Sequence, residues 1–182
     1  VYPFEMPIKC SSVLHWKYGK VREDLHSNKN AGFQSNNFCI KKEIFEKLDI
    51  LNELKDYGHE DTMMGILMEK MDVKVTNIHN PVLHERIEDA EVFIKKSDDA
   101  LMNLLAIRKL LTETDIKKNI KIYRWFSLVK MYHLRSLIIS FYKKFNKSIL
   151  RNLTSCNPSL SLFDLHRLSK LLIYDRELEK AE

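Results

Sequence analysis

Four glycines and four prolines in 182 residues give this chain few places to reverse direction. A sandwich or barrel of short strands needs a turn roughly every 8–12 residues, usually built on those residue types. Their scarcity favours helices over a many-turned β-sandwich. The length suits one domain with a real core, or a small domain with an appendage. Apolar residues make up 45% and charged residues 30%, an ordinary globular balance that excludes wholesale disorder. No uncharged apolar run approaches the length of a membrane span, so no transmembrane helix is expected.

Charge is unevenly placed. Lys117, Lys118, Lys121, Arg124, Lys130, Arg135, Lys143, Lys144, Lys147 and Arg151 fall in one interval without a single Asp or Glu. These ten positive charges exceed the chain's net +5, so the remainder is net −5. The basic character belongs to one segment. Cys10, Cys39 and Cys156 are odd in number and irregularly spaced, and make neither a disulfide framework nor a zinc pattern. A reducing cytoplasm fits that usage. Val1 is not an initiator methionine, and residues 1–9 lack the features of a signal peptide. Either something was removed before Val1 or the sequence is a fragment.

Periodicity divides the chain. Residues 1–30 read as irregular because Pro3 and Pro7 interrupt them. Residues 36–40 suit a short strand and residues 42–48 a helical turn. Tyr57, Gly58 and His59 form a turn in which Gly58 can take a positive φ. Glu60 or Asp61 then opens a helix to about Met71. Val73, Lys74, Val75 and Thr76 alternate like a half-buried strand, and Val82 to His84 suit a second extended piece. Ser97 is a plausible N-cap for a helix to about Leu111, with Leu101, Leu104, Leu105 and Leu111 inward. Thr114 and Asp115 open the next helical stretch, whose apolar positions include Trp125, Phe126, Val129, Tyr132, Leu137, Phe141 and Phe145. Asn157, Pro158 and Ser159 break the pattern before a last amphipathic helix.

The most chemical stretch is Tyr57-Gly58-His59-Glu60-Asp61-Thr62. Backbone N–H groups at a helix start favour ionised carboxylates, and a neighbouring glycine lets a ligand approach the backbone. That suits a general base accepting a proton from a hydroxyl. Local features leave a second reading open, in which Asp61 caps its helix and Glu60 is solvated. His84 ends a short apolar lead-in. It reads either as a structural histidine or as a metal ligand, with His79 as a local competitor.

Asn36 to Phe45, the Tyr57 to Thr62 stretch, Asn80-Pro81-Val82-Leu83-His84 and Phe93-Ile94-Lys95-Lys96 follow one another in order. That succession resembles the second half of bacterial family 2 glycosyltransferases of the GT-A fold. Residues 158–165 also look like the tails of such enzymes. The resemblance implies an α/β chain. Residues 1–111 would be the carboxy-terminal, acceptor-side half of a Rossmann-like GT-A domain, and residues 112–182 a helical basic tail. It implies a hexosyltransferase, inverting, in polysaccharide biosynthesis, with a nucleotide-sugar donor and a glycan or lipid-linked acceptor. Asp61 matches the base that deprotonates the acceptor, and Glu60 the neighbouring acceptor-binding acid. Tyr57, Gly58 and His59 would line the acceptor side. His84 matches the histidine that completes a Mn²⁺ or Mg²⁺ site begun by an Asp-x-Asp motif.

No Asp-x-Asp is present, and a lone histidine does not hold Mg²⁺ or Mn²⁺, which prefer several oxygen ligands. The nucleotide-binding half is expected upstream, and the chain alone is expected to be inactive. For the basic tail three readings stay open: ordinary helical packing, peripheral docking on an anionic membrane at the inner face of the cell, and nucleic-acid binding. No recognisable DNA or RNA module supports the last, so no nucleic-acid partner is expected. The alternative to an enzyme is a non-catalytic helical module that binds a membrane or a partner protein.

Overall fold

A computed structural model describes residues 1–3, 5–23, 33, 35, 37–48, 58–76, 78, 80 and 82–181. Among these the α-helices are α1 (Val13–Tyr18), α2 (Lys42–Glu46), α3 (Glu60–Lys70), α4 (Ala90–Ile107), α5 (Glu113–Asn119), α6 (Lys121–Met131), α7 (Arg135–Leu153) and α8 (Leu160–Ala181). A 3-10 turn at Cys10–Ser12 leads into α1, and a π-helical turn at Gly19–Glu23 continues it.

The described residues contain no strand, so the fold is all-helical. This overturns the expected α/β, Rossmann-like GT-A architecture. Residues 38–40, 73–76 and 82–84 are irregular or extended, without a ladder. A strand persists only when a neighbour takes up its N–H and C=O groups and something covers one face. Lys74, Val75 and Thr76 are all exposed, so their alternation meets no covering layer. Near 82–84 the backbone pairs with the first residue: the Val1 amino group donates to Val82 O at 2.7 Å and His84 N–H to Val1 O at 2.8 Å. The stretch around α1, expected to be irregular, is helical.

Several helix boundaries also shift. Asp89 precedes α4, and Ser97 lies within it. The Asp89 carboxylate instead accepts from Lys9 Nζ at 2.7 Å, Ser11 Oγ at 2.8 Å and Ser12 Oγ at 3.1 Å, tying the helix start to the amino-terminal segment. Thr112, not Thr114, caps α5, its Oγ1 accepting from Asp115 N–H at 3.2 Å. Ile120 takes an extended conformation between α5 and α6, and His133 a positive φ of 57° between α6 and α7. Neither break carries glycine or proline, which is why the sequence reads as one long helical stretch.

The helix α8 is the strut against which α1, α4, α6 and α7 pack. Its 22 residues span about 33 Å. One apolar cluster joins Met63 and Ile66 of α3, Leu101, Leu104 and Leu105 of α4, Phe126 of α6 and Leu171 and Leu172 of α8. A second gathers Leu14, Ile94, Tyr142, Leu153 and Phe163.

Inside this apolar frame sits Asp175, with no exposed surface. Arg108 Nη1 donates to Oδ1 at 2.6 Å, and Lys130 Nζ and Arg135 Nη2 donate to Oδ2 at 2.8 and 3.1 Å. Lys130 and Arg135 also reach Glu179, at 2.9 and 2.5 Å. Those two cations hold the Glu179 carboxyl down to about 2. One buried carboxylate thus fixes the end of α4, the end of α6 and the start of α7 to α8. A buried charge needs its partners, because dehydration without them is costly. Asp175→Asn is expected to lower stability by about 3 kcal/mol, read as a reduced urea midpoint. Glu113→Gln, at an exposed pair, is expected to shift it by less than about 0.5 kcal/mol.

The amino-terminal segment is fastened to the start of α8. Cys10 and Cys156 form a disulfide across 146 residues, a pairing the cysteine spacing did not suggest. Lys17 Nζ donates to Pro158 O at 2.8 Å, and Arg22 binds both Asp164 oxygens at 2.7 and 2.5 Å. A cross-link of this span removes much unfolded-chain entropy, at most about 5 kcal/mol. Adding reductant, or making Cys156→Ser, is expected to lower the melting temperature. An unchanged transition means the thiols are not joined in solution.

Candidate functional site

The acidic turn forms as the sequence suggests. Gly58 has a φ of 109° and His59 a φ of 68°, and α3 begins at Glu60. A Cβ on Gly58 would lie 2.3 Å from the Cβ of Ala100 on α4, so the turn and α4 touch backbone to side chain. The Asn103 amide of α4 donates to Gly58 O. The Gly58 N–H donates to Glu60 Oε1 at 2.8 Å. These contacts separate the two acids. Glu60 folds back to hold its own turn, whereas Asp61 is half-buried and its carboxylate accepts no hydrogen bond and forms no ion pair among the described residues. Tyr57, the remaining acceptor-side candidate, lies outside the described residues, as do Asn36 and His79.

The ring nitrogen Nε2 of His59 is shut off from solvent and has no partner among the described residues. Burial, reinforced by Arg167, pushes this imidazole down to about 4. It is therefore neutral near pH 7.

His84 lies elsewhere. No hydrogen bond, ion pair or ring contact joins it to the α3 turn among the described residues. Its ring stacks on Tyr2 with centroids 4.8 Å apart, and meets His15 edge-on at 5.3 Å. Nε2 lies 3.1 Å from Arg86 O, so it donates there and leaves Nδ1 as the lone pair. A Mn²⁺ or Mg²⁺ ion needs several oxygen ligands, and the described residues contain no group of three or more His, Cys, Asp or Glu able to hold a metal. His84 alone does not fit such an ion. Its partner His15 is buried, accepts from Glu88 N–H at 2.9 Å and stacks on Phe93 at 4.5 Å. Burial, aided by His84, pushes His15 down to about 4.

A polar line that sequence reasoning missed runs between α4, α7 and α8. Asp98 Oδ1 accepts from His166 Nε2 at 3.0 Å, and Tyr142 Oη lies 2.9 Å from His166 Nδ1. With Nε2 carrying the proton, Nδ1 accepts from the tyrosine. Lys170 reaches Asp98 Oδ2 at 3.4 Å. Burial raises Tyr142 to about 12, so it stays a phenol. The line borders a groove of about 460 Å³, yet His166 and Tyr142 are themselves almost fully buried. With both imidazole nitrogens engaged, it acts as a three-helix staple. Its signal in the sequence is a histidine on the apolar side of the last helix, three residues after Phe163.

A larger cavity of about 750 Å³ lies where α5 and α6 meet the end of α4. Its cations Lys117, Lys130 and Arg108 are already paired with Glu113 or Asp175. Arg124 is exposed on α6 and forms no ion pair among the described residues. Comparison with protein-family models, curated proteins and solved structures finds no match for this chain.

Both depressed histidines bind protons more weakly folded than unfolded. Their contribution is complete above the ordinary value of 6.5 and is lost as pH falls toward 4. Stability, from urea midpoints, is expected to drop by a few kcal/mol between about pH 7 and about pH 4.5. His59→Asn keeps a residue type that tolerates positive φ and is expected to flatten that profile.

Proposed function

We propose that this chain supplies the acceptor side of a sugar transferase, with Asp61 as the general base. The observation that carries this reading is the division between two adjacent acids: Glu60 is held by the Gly58 N–H, and Asp61 is left uncommitted at the first turn of α3. The motif order along the chain supports it, although the GT-A fold is not part of the proposal. In this reading a glycan or lipid-linked acceptor lies against the α3 turn. Asp61 takes the proton of its hydroxyl, the oxygen bonds to the anomeric carbon of a nucleotide-sugar, and the bond to the nucleoside diphosphate breaks with inversion. The donor nucleotide and its divalent cation bind outside the described residues.

Glu60 serves by fixing the turn, together with Asn103 and the narrow approach of Gly58 to Ala100. The reading sets the chain in the cytoplasm, at the membrane's inner face, a reducing compartment that works against the Cys10–Cys156 disulfide of the structure. No described helix is long and apolar enough to cross a membrane.

In a protein that joins this chain to a nucleotide-sugar site, Asp61→Asn is expected to lower transfer on the order of a hundredfold or more with donor affinity kept. Glu60→Gln is expected to cost stability and acceptor affinity together. Turnover unchanged in Asp61→Asn, with only a small stability loss, reduces Asp61 to a first-turn residue that favours the helix dipole.

A further inference from the structure

We propose that the outer face of α6 and α7 docks this chain on an anionic lipid surface, independently of any sugar transfer. Leu137, Phe141 and Phe145 recur every four residues along α7 and are 66%, 49% and 40% exposed. Side chains at that spacing share one face of a helix. Trp125 of α6 and Tyr132 in the α6–α7 turn continue the apolar surface, at 60% and 65% exposure. The sequence places all of these at apolar positions of the helical stretch, and the structure turns them outward. The buried sides of the two helices are instead Tyr123, Phe126 and Val129 on α6, and Ile139, Tyr142, Ile149 and Leu153 on α7.

The charges say what covers this face. Of the ten cations in the acid-free interval, Lys117, Lys118, Lys130 and Arg135 are spent on Glu113, Glu69, Asp175 and Glu179. Lys121, Arg124, Lys143, Lys144, Lys147 and Arg151 are exposed and form no ion pair among the described residues. Lys144 lies over the Phe145 ring at 5.6 Å, so charge and apolar surface are interleaved. An apolar stripe flanked by free cations matches the boundary between anionic headgroups and acyl chains. Each lysine or arginine held near such a surface strengthens binding roughly fivefold. Because no described helix is long and apolar enough to span, the helices lie along the surface.

Other occupants fit less well. A second copy meeting this face by two-fold symmetry would set like charges against each other. Nucleic acid accounts for the cations but not for Leu137, which cannot stack on a base. Phe141 and Phe145 already pack on each other, with centroids 4.7 Å apart, and do not form separate base platforms.

The test uses the full chain with vesicles of phosphatidylcholine alone or with about 30% phosphatidylserine. At about 0.1 M salt, binding to the anionic vesicles is expected to be at least tenfold tighter, and to weaken at about 0.5 M. Trp125 emission should shift to the blue. The double variant Leu137→Ser, Phe141→Ser and the double variant Lys143→Gln, Lys147→Gln should each weaken binding several-fold with the helical circular dichroism signal unchanged. These positions are exposed, so folding is not at stake. The proposal is overturned by equal affinity for both vesicles or by absence of binding to either at low salt. Tighter binding to RNA that survives the serine substitutions overturns it in favour of nucleic acid. Self-association abolished by the same substitutions overturns it in favour of a second copy.

Discussion

Asp175 decides how the helices of the carboxy-terminal part are arranged. A carboxylate with no exposed surface must find cations, and it finds Arg108, Lys130 and Arg135 on three different elements. Apolar packing alone tolerates many helix placements, because it is not directional. Charged hydrogen bonds are directional, and the alternative to making them is a dehydrated charge. The α4 end, α6 and α7 are thereby set against α8, and the remaining faces of α6 and α7 are turned to solvent. The exposed aromatic stripe follows from that arrangement: once Lys130 and Arg135 point inward to Asp175, Trp125 and Leu137 point away.

The helical half of this fold was legible because its signals are local. The α3 turn shows the strongest agreement. Gly58 takes the positive φ its position suggested, and α3 starts at Glu60. Leu101, Leu104 and Leu105 are buried as their spacing required. The expected strands did not form, because a short alternating stretch such as 73–76 reports only a preference, and whether it pairs depends on residues far away. The same distance effect hid the Cys10–Cys156 bond, the Asp98–His166–Tyr142 line and the partners of Asp175. Each joins residues from separate helices or connecting segments, and no one-dimensional pattern carries that information.

At the acidic turn the resemblance implied the two roles, Asp61 as base and Glu60 as acceptor-binding acid. The structure adds a physical difference between these chemically alike neighbours: Glu60 is held by the Gly58 N–H, and Asp61 has no such partner among the described residues. The resemblance to a sugar transferase treated His84 and the acidic turn as one constellation. The structure leaves His84 in an aromatic stack with Tyr2 and His15, with no contact to the turn among the described residues. The acid turn and the histidine cluster are instead two separately braced features, one on α3 and α4 and the other on α1 and α4.

The position of α8 in the chain also bears on how the protein is made. Helices α1, α4, α6 and α7 all bury apolar faces against an element synthesised after them. During translation those faces emerge before their cover exists, and Arg108, Lys130 and Arg135 emerge before the carboxylate that gathers them. Folding of this part therefore waits for the last helix rather than proceeding stepwise from the ribosome. In that interval the nascent chain displays uncovered apolar surface, the condition under which a chaperone is most needed.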